Sequence, residues 1–191
     1  MTITIKIDKR AAPIAFSAVV LVIGALWLVG IYRTRSALAA RVSTARSQYA
    51  TVSTDADSLR SAIQTAADAS DPAQVSVALD QAKSLVKQFP EDAQQLGEAI
   101  CPKATAPVDA GLSGNCSGNT DDMARQIGSR FEAYSRSAST YDFQALDAVS
   151  QLLSGHKAAA RLVLSGPIAT AYAQQRADGA AMMHALDALA H

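Results

Sequence analysis

The sequence has few aromatic residues, only three histidines and only two cysteines. Aromatic residues make up 5% of the chain, whereas the hydrophobic fraction reaches 49%, much of it alanine. Because alanine favours helices but buries little area per residue, we expect helices with narrow contact faces rather than one thick core. The scarce histidines have no ligand spacing along a helix face, so no metal site is predicted.

Neither charge is in surplus, since 17 Lys and Arg residues balance 17 Asp and Glu residues. A neutral balance argues against nucleic-acid binding, which needs cations against phosphate. The sequence contains no phosphate-binding loop, dinucleotide-binding fingerprint or nucleophile elbow. Ser154 and His156 lie two residues apart, but no acid nearby could orient them. We therefore predict a protein that is not an enzyme and that uses no cofactor, metal or nucleic acid.

One long stretch has no charge at all. Residues 11–32 read AAPIAFSAVVLVIGALWLVGIY and are closed by Arg10 and Arg33. About 20 helical residues cross the hydrocarbon layer of a bilayer, which is therefore the expected partner of this stretch. The pattern predicts one transmembrane helix over residues 11–32, preceded by an N-terminal tail, residues 1–10. A cleaved signal peptide, with a small-residue site at residues 37–39, and a buried core helix are the alternatives.

Behind this stretch, apolar residues recur at alternating steps of four and three residues. Such a heptad pattern predicts a long amphipathic helix with a packing seam. We expect this helix to continue the transmembrane helix as a stalk over residues 33–70, before Asp71-Pro72 stops it. The seam could bind a partner helix or a second copy, but its alanines favour packing within the chain. The seam residues are Leu38, Val42, Ala45, Tyr49, Val52, Ala56, Leu59, Ile63 and Ala66.

Residues 71–191 are expected to form a helical bundle domain, which makes the predicted fold class all-α. Asp71 is suited to cap a helix that begins with Pro72. Pro90 is expected to end that helix, and a short third helix would follow as far as Ile100.

Further helices are expected from about residue 120, from about residue 143 and over residues 168–189. Residues 165–167, Ser-Gly-Pro, are expected to break the chain between the last two of them. The apolar residues predicted to face inward on the middle helices are Met123, Ile127, Phe131, Tyr134, Ala138, Phe143, Leu146, Val149 and Leu153.

Both cysteines lie in an irregular loop, residues 101–119, that is rich in Pro, Gly, Ser and Asn. A disulfide between Cys101 and Cys116 would stabilise the fold by roughly 3 kcal/mol in the chain-entropy model. Two free thiols are the alternative. Disulfides persist in oxidising compartments, so the bond favours a domain outside the cytoplasm, in a bacterium the periplasm. The count of Lys and Arg around the apolar stretch leans weakly the other way.

Four aromatic residues are close together in the sequence. They could line a small-ligand pocket between helices, or they could be the largest side chains of the bundle core. They are Phe131, Tyr134, Tyr141 and Phe143.

Taken together, the sequence predicts a non-catalytic, membrane-anchored structural or accessory subunit of a cell-envelope complex. Its expected location is a bacterial inner membrane, with the C-terminal domain in the periplasm. Its partners would be the bilayer and a protein, or a second copy, bound through the stalk and transmembrane helices. The alternatives are a sensor-like, ligand-binding bundle and a phage-type lysis protein with a periplasmic coiled coil.

Overall fold

A computed structural model describes the backbone of residues 12–101, 116 and 122–189, and the side chains of residues 35–101, 116 and 123–189. Every element of this part of the chain is helical, so the all-α fold class is confirmed. The chain divides into two compact units, residues 1–40 and residues 41–191. The second unit thus begins within the segment predicted as a stalk.

The helices follow one another with short connections, apart from the cysteine-containing loop. They are α1 (Ala12–Asp68), α2 (Pro72–Ile100), α3 (Asp122–Leu153), α4 (Lys157–Val163), a π-helical turn (Leu164–Ile168) and α5 (Ala169–Leu189).

The predicted transmembrane segment and the tail before it lie outside the residues whose side chains are described. Among the residues whose side chains are described, no helix has both the length and the apolar character needed to cross a membrane.

In the second unit, cross-helix contacts show that successive helices run in opposite directions. On α1 and α3, Tyr49 meets Tyr134 and Ala56 meets Tyr141, so residue numbers rise together and these helices are parallel. On α1 and α5 they rise in opposite directions, because Asp57 meets Tyr172 whereas Arg46 meets Asp187. The unit is therefore an up-down-up-down bundle in which α1 and α3 are diagonal neighbours.

Tyr141 lies at the centre of this bundle and is fully buried. Its ring packs against Phe89 of α2 and Tyr172 of α5, with ring centroids 5.7 and 5.9 Å away. Its hydroxyl donates a 2.7 Å hydrogen bond to the carbonyl of Ala56 on α1. One side chain from α3 therefore touches α1, α2 and α5.

Two of the predicted helix breaks are wrong. Pro90 lies inside α2, which continues to Ile100 because Phe89, Ala93 and Leu96 keep one buried face on both sides of the proline. The expected break between two helices near residue 140 is likewise absent from α3.

The predicted start of α2 is confirmed, since the Asp71 carboxylate accepts a 3.0 Å hydrogen bond from the backbone N–H of Ala73.

The third expected break, at residues 165–167, is a π-helical turn that contains Pro167. Proline lacks the N–H of an ordinary helical turn, and π-helical turns are a usual way of absorbing such a defect without ending a helix. The chain from α4 to α5 is consequently helical throughout.

Candidate interaction surface

The seam of α1 is used inside the chain. Tyr49 is half-buried and packs edge-to-face on Tyr134, with ring centroids 5.6 Å apart. Leu38, which belongs to the first unit, is also half-buried. The aliphatic seam residues of the second unit are at most 1% exposed, so this part of the seam packs on its own bundle and is not open to a second chain. They are Val42, Val52, Leu59 and Ile63.

The flank of α1 that faces α5 carries polar contacts. Arg46 forms a 2.6 Å ion pair with Asp187, and Asp57 accepts a hydrogen bond from the Tyr172 hydroxyl. That hydrogen bond, followed by burial, raises the pKa of Tyr172. Exposed ion pairs of this kind contribute little stability, typically about 0–1 kcal/mol. Their clearer effect is to fix the register of α5 on α1.

The predicted aromatic group does not line one cavity. Phe131, Tyr134 and Tyr141 are at most 2% exposed and belong to the core, whereas Phe143 is 67% exposed on the surface of α3. Burial raises the pKa of both buried tyrosines, so they are neutral at any ordinary pH. Three of the four residues therefore serve as core side chains.

The predicted disulfide is confirmed, with the Cα atoms of Cys101 and Cys116 5.7 Å apart. Cys101 caps the end of α2, where its N–H donates to the carbonyl of Gly97. Cys116 packs on α3: a Cβ at Gly128 would lie 2.8 Å from the Cys116 Cβ, and the Cys116 N–H donates to the Glu132 carboxylate. The bond thus ties the end of α2 to the face of α3.

A row of large apolar side chains lies exposed on α3. Phe143, Leu146 and Leu153 are 67%, 51% and 54% exposed. With Ser150 they occupy heptad-spaced positions on one face, and we call these four residues the α3 stripe. The sequence predicts that its apolar members lie in the core. This prediction is wrong, because α3 carries two apolar rows and the other row is the buried one.

The row that is buried is rich in alanine, whereas the sequence predicts that the larger residues form the core. Small residues allow close helix approach, and the described structure buries the alanine row beside Tyr141. Its members are Ala138, Tyr141, Ala145, Ala148, Val149 and Leu152.

The charges that border the α3 stripe are acidic. Between Arg136 and Lys157, the sequence of α3 and the following turn contains Asp142 and Asp147 but no Lys or Arg. Both carboxylates are half-buried at the edges of the stripe. Burial raises the pKa of Asp142 to about 6, whereas Asp147 accepts a hydrogen bond from Gln151.

An open cleft of about 370 Å³ lies between the end of α1 and the start of α2. Val77, which is 69% exposed, forms part of its wall. No charged residue lines the cleft. Its lining residues are Ser61, Ala62, Thr65, Ala73, Gln74, Val77, Ala78 and Gln81.

One further feature is a pair of carboxyl groups between α1 and α2. Asp55 is only 8% exposed and lies within hydrogen-bonding reach of Asp92. Burial, and then the neighbouring Asp92, raise the pKa of Asp55 to about 6. Nothing in the heptad pattern distinguishes this aspartate from the solvent-facing ones, so its burial could not be predicted from the sequence.

Among the described residues, no three His, Cys, Asp or Glu side chains come together as metal ligands. Comparisons with protein-family models, with curated proteins and with solved structures find no match to this chain.

Proposed function

We propose that this chain is a non-catalytic, membrane-anchored accessory or assembly subunit of a cell-envelope complex, and that its bundle binds a helix of a partner protein through the α3 stripe. The observation that carries the proposal is the stripe itself. Three large apolar side chains, each more than half exposed, share one helix face at heptad spacing.

The stripe contrasts with the rest of the bundle. The seam of α1 is covered by the other helices, and the interior is filled by Tyr134 and Tyr141. Scattered exposed apolar residues are ordinary on a protein surface, but a contiguous row is typical of an interaction site. A row that spans nearly three helical turns suits an amphipathic helix, which packs with the same periodicity.

The charges bordering the stripe favour a particular partner. Asp142 and Asp147 flank its apolar positions, one on each side, where heptad helices place their pairing charges. If two copies of α3 paired, acid would face acid in either the parallel or the antiparallel orientation. We therefore expect the partner to be a different protein, with Lys or Arg beside the apolar row of its helix.

Two features support placing the bundle in the cell envelope. The uncharged run at residues 11–32 is long enough for a helix to cross a bilayer. The Cys101–Cys116 disulfide favours an oxidising compartment for the bundle, such as the periplasm. The bilayer and a helix of another subunit would then be the two partners of the chain.

The test compares substitutions inside and outside the stripe in the full chain, extracted from its membranes in mild detergent. Leu146→Glu/Leu153→Glu places charge on the stripe, whereas Leu162→Glu, at a residue 72% exposed on α4, is the matched control. A photo-crosslinking residue at Ser150 should capture a basic-flanked amphipathic helix of one companion. We expect the double variant to lose that companion and the control to retain it. Both variants should have the melting temperature of the parent.

Charge reversal extends this test. Asp147→Lys should weaken binding of the companion by about tenfold, a loss equivalent to one charge pair. The proposal fails if the chain runs as a bare monomer, if Ser150 crosslinks to a second copy, or if Leu162→Glu releases the companion equally.

The cleft between α1 and α2 supports a second candidate function, binding of a small uncharged ligand by a sensor-like bundle. Its volume of about 370 Å³ lies within the range of known ligand sites, and its Ser, Thr and Gln side chains offer hydrogen bonds without charge. A melting temperature that rises with a neutral small molecule, and no longer does so in Ala78→Trp, would favour this candidate.

A further inference from the structure

The carboxyl pair Asp55–Asp92 joins α1 to α2 without any of the groups that normally accompany buried acids. Asp55 is 8% exposed, and Asp92 is half-buried. The Oδ2 atom of each is buried and accepts no hydrogen bond. None of the ion pairs formed by the described residues includes either carboxylate.

Two ionised carboxylates cannot bond to each other, because both only accept hydrogen bonds. When one proton is present, one carboxyl group can donate a hydrogen bond to the other, which lies within reach. Like charges held at this distance in a poorly solvated site favour that singly protonated state. We propose that the Asp55–Asp92 pair is a pH-sensitive latch, which holds α1 against α2 when it shares a proton and weakens that contact when it loses it.

The other helices bring no compensating cation to the latch. On α1, Ser53 and Asp57 face α5, where both meet Arg176. Asp55 is two residues from each of them, a rotation of about 200° around the helix axis, and it therefore faces away from Arg176. Arg60 is on that same α5 flank, over the Tyr172 ring.

From α3, Tyr141 approaches this part of α1, and its hydroxyl donates to the carbonyl of Ala56. Because burial raises its pKa, this tyrosine remains neutral. Asp92 on α2 is thus the charged group that acts on Asp55 in the described structure.

The direction in which stability changes with pH follows from the number of protons that the folded and unfolded states bind. The pKa of Asp55 is raised to about 6, whereas an aspartate in an unfolded chain titrates near 3.9. Between about pH 4 and pH 6 the folded state therefore binds more protons than the unfolded state, and stability falls as the pH rises. The latch is closed below about pH 6, the pKa of Asp55 in the folded state, and open above it.

The experiment measures hydrogen exchange at α1 and α2, together with the melting temperature, on the full chain in detergent at pH 5 and pH 7.5. In the parent, the opening equilibrium of α1–α2 amides should increase about tenfold at the higher pH, since each pH unit between pH 5 and the pKa near 6 changes it tenfold and the change stops above that pKa. Asp55→Asn should remove most of this increase and should raise the melting temperature at pH 7.5.

Asp92→Asn should act like Asp55→Asn, and the double variant should gain little over either single variant, because the two residues form one unit. Asp142→Asn is the matched control, since Asp142 is another buried carboxyl with a pKa near 6 but lies on α3. The change that Asp142→Asn causes in the melting temperature should add to the change caused by Asp55→Asn.

The latch is refuted if α1–α2 exchange has the same pH dependence in the parent and in Asp55→Asn. It is equally refuted if the effects of Asp55→Asn and Asp92→Asn are fully additive. Neither result bears on the α3 stripe, which lies on another helix.

Discussion

At Gly179, α5 crosses so close to α1 that a tyrosine ring occupies the place of a side chain. A Cβ atom there would lie 2.7 Å from Cε2 and 2.9 Å from Cζ of Tyr49. The same ring packs on Tyr134, so it is held from its other side and has little freedom to withdraw. Gly166 is different, because a Cβ there would meet nothing within 4 Å.

We expect Gly179→Ala to lower the free energy of unfolding by about 1–3 kcal/mol, as overpacking of a filled core does. Gly166→Ala should lower the free energy of unfolding much less, because only the following Pro167 restricts a side chain there. Urea unfolding of the two variants beside the parent checks the pair. Equal effects at both positions would contradict the packing described for Tyr49.

At the scale of the element, the heptad spacing predicted α1 correctly, and Val52, Leu59 and Ile63 are buried as that spacing requires. The start of α2 was predictable because an N-cap acts through local hydrogen bonds. The continuation of α2 through Pro90 was not, because it depends on packing with distant helices. A proline defect costs about 3 kcal/mol, which a well-buried face such as that of Phe89 and Leu96 can offset.

The candidate site was the hardest part to predict. Phe143, Leu146 and Leu153 have the composition and spacing of core residues, and only the position of α2 and α5 around α3 decides which apolar row is covered. The same holds for Asp55, whose burial results from a helix that the local sequence does not specify. By contrast, the disulfide could be predicted, since only two cysteines exist and both lie in one loop.

Removal of the disulfide should act on the connection between α2 and α3. Cys101→Ala/Cys116→Ala should lower stability by roughly 3 kcal/mol, because the closed loop restricts the unfolded chain. For a bundle of this size the melting temperature should fall by about 10 °C. Calorimetry with and without reductant is the measurement: reductant should lower the melting temperature of the parent but not of the variant, and an unchanged parent would contradict the prediction.

At the scale of the whole molecule, we expect the full chain to stay in the membrane pellet after alkaline carbonate washing. A variant lacking residues 11–32 should be released, since the uncharged run would no longer be there to enter the bilayer. Finding the intact chain in the aqueous fraction would overturn both the anchor and the proposed function.

The side of the membrane can be tested with the same cells. In a variant without the native cysteines, a single cysteine at the exposed Ser154 should be labelled by an impermeant maleimide in intact spheroplasts. A single cysteine placed at Thr2, in a variant without the native cysteines, should be labelled only after lysis. The opposite pattern would place the bundle in the cytoplasm.

The alternating directions of the four bundle helices determine where an added domain would go. Arg46 pairs with Asp187 near one end of the bundle, while the connections 69–71 and 154–156 both lie at the other. A fluorescent protein fused after Leu189 would therefore sit beside the point where the chain enters the bundle, and the two tight hairpins at the distal tip would stay unobstructed.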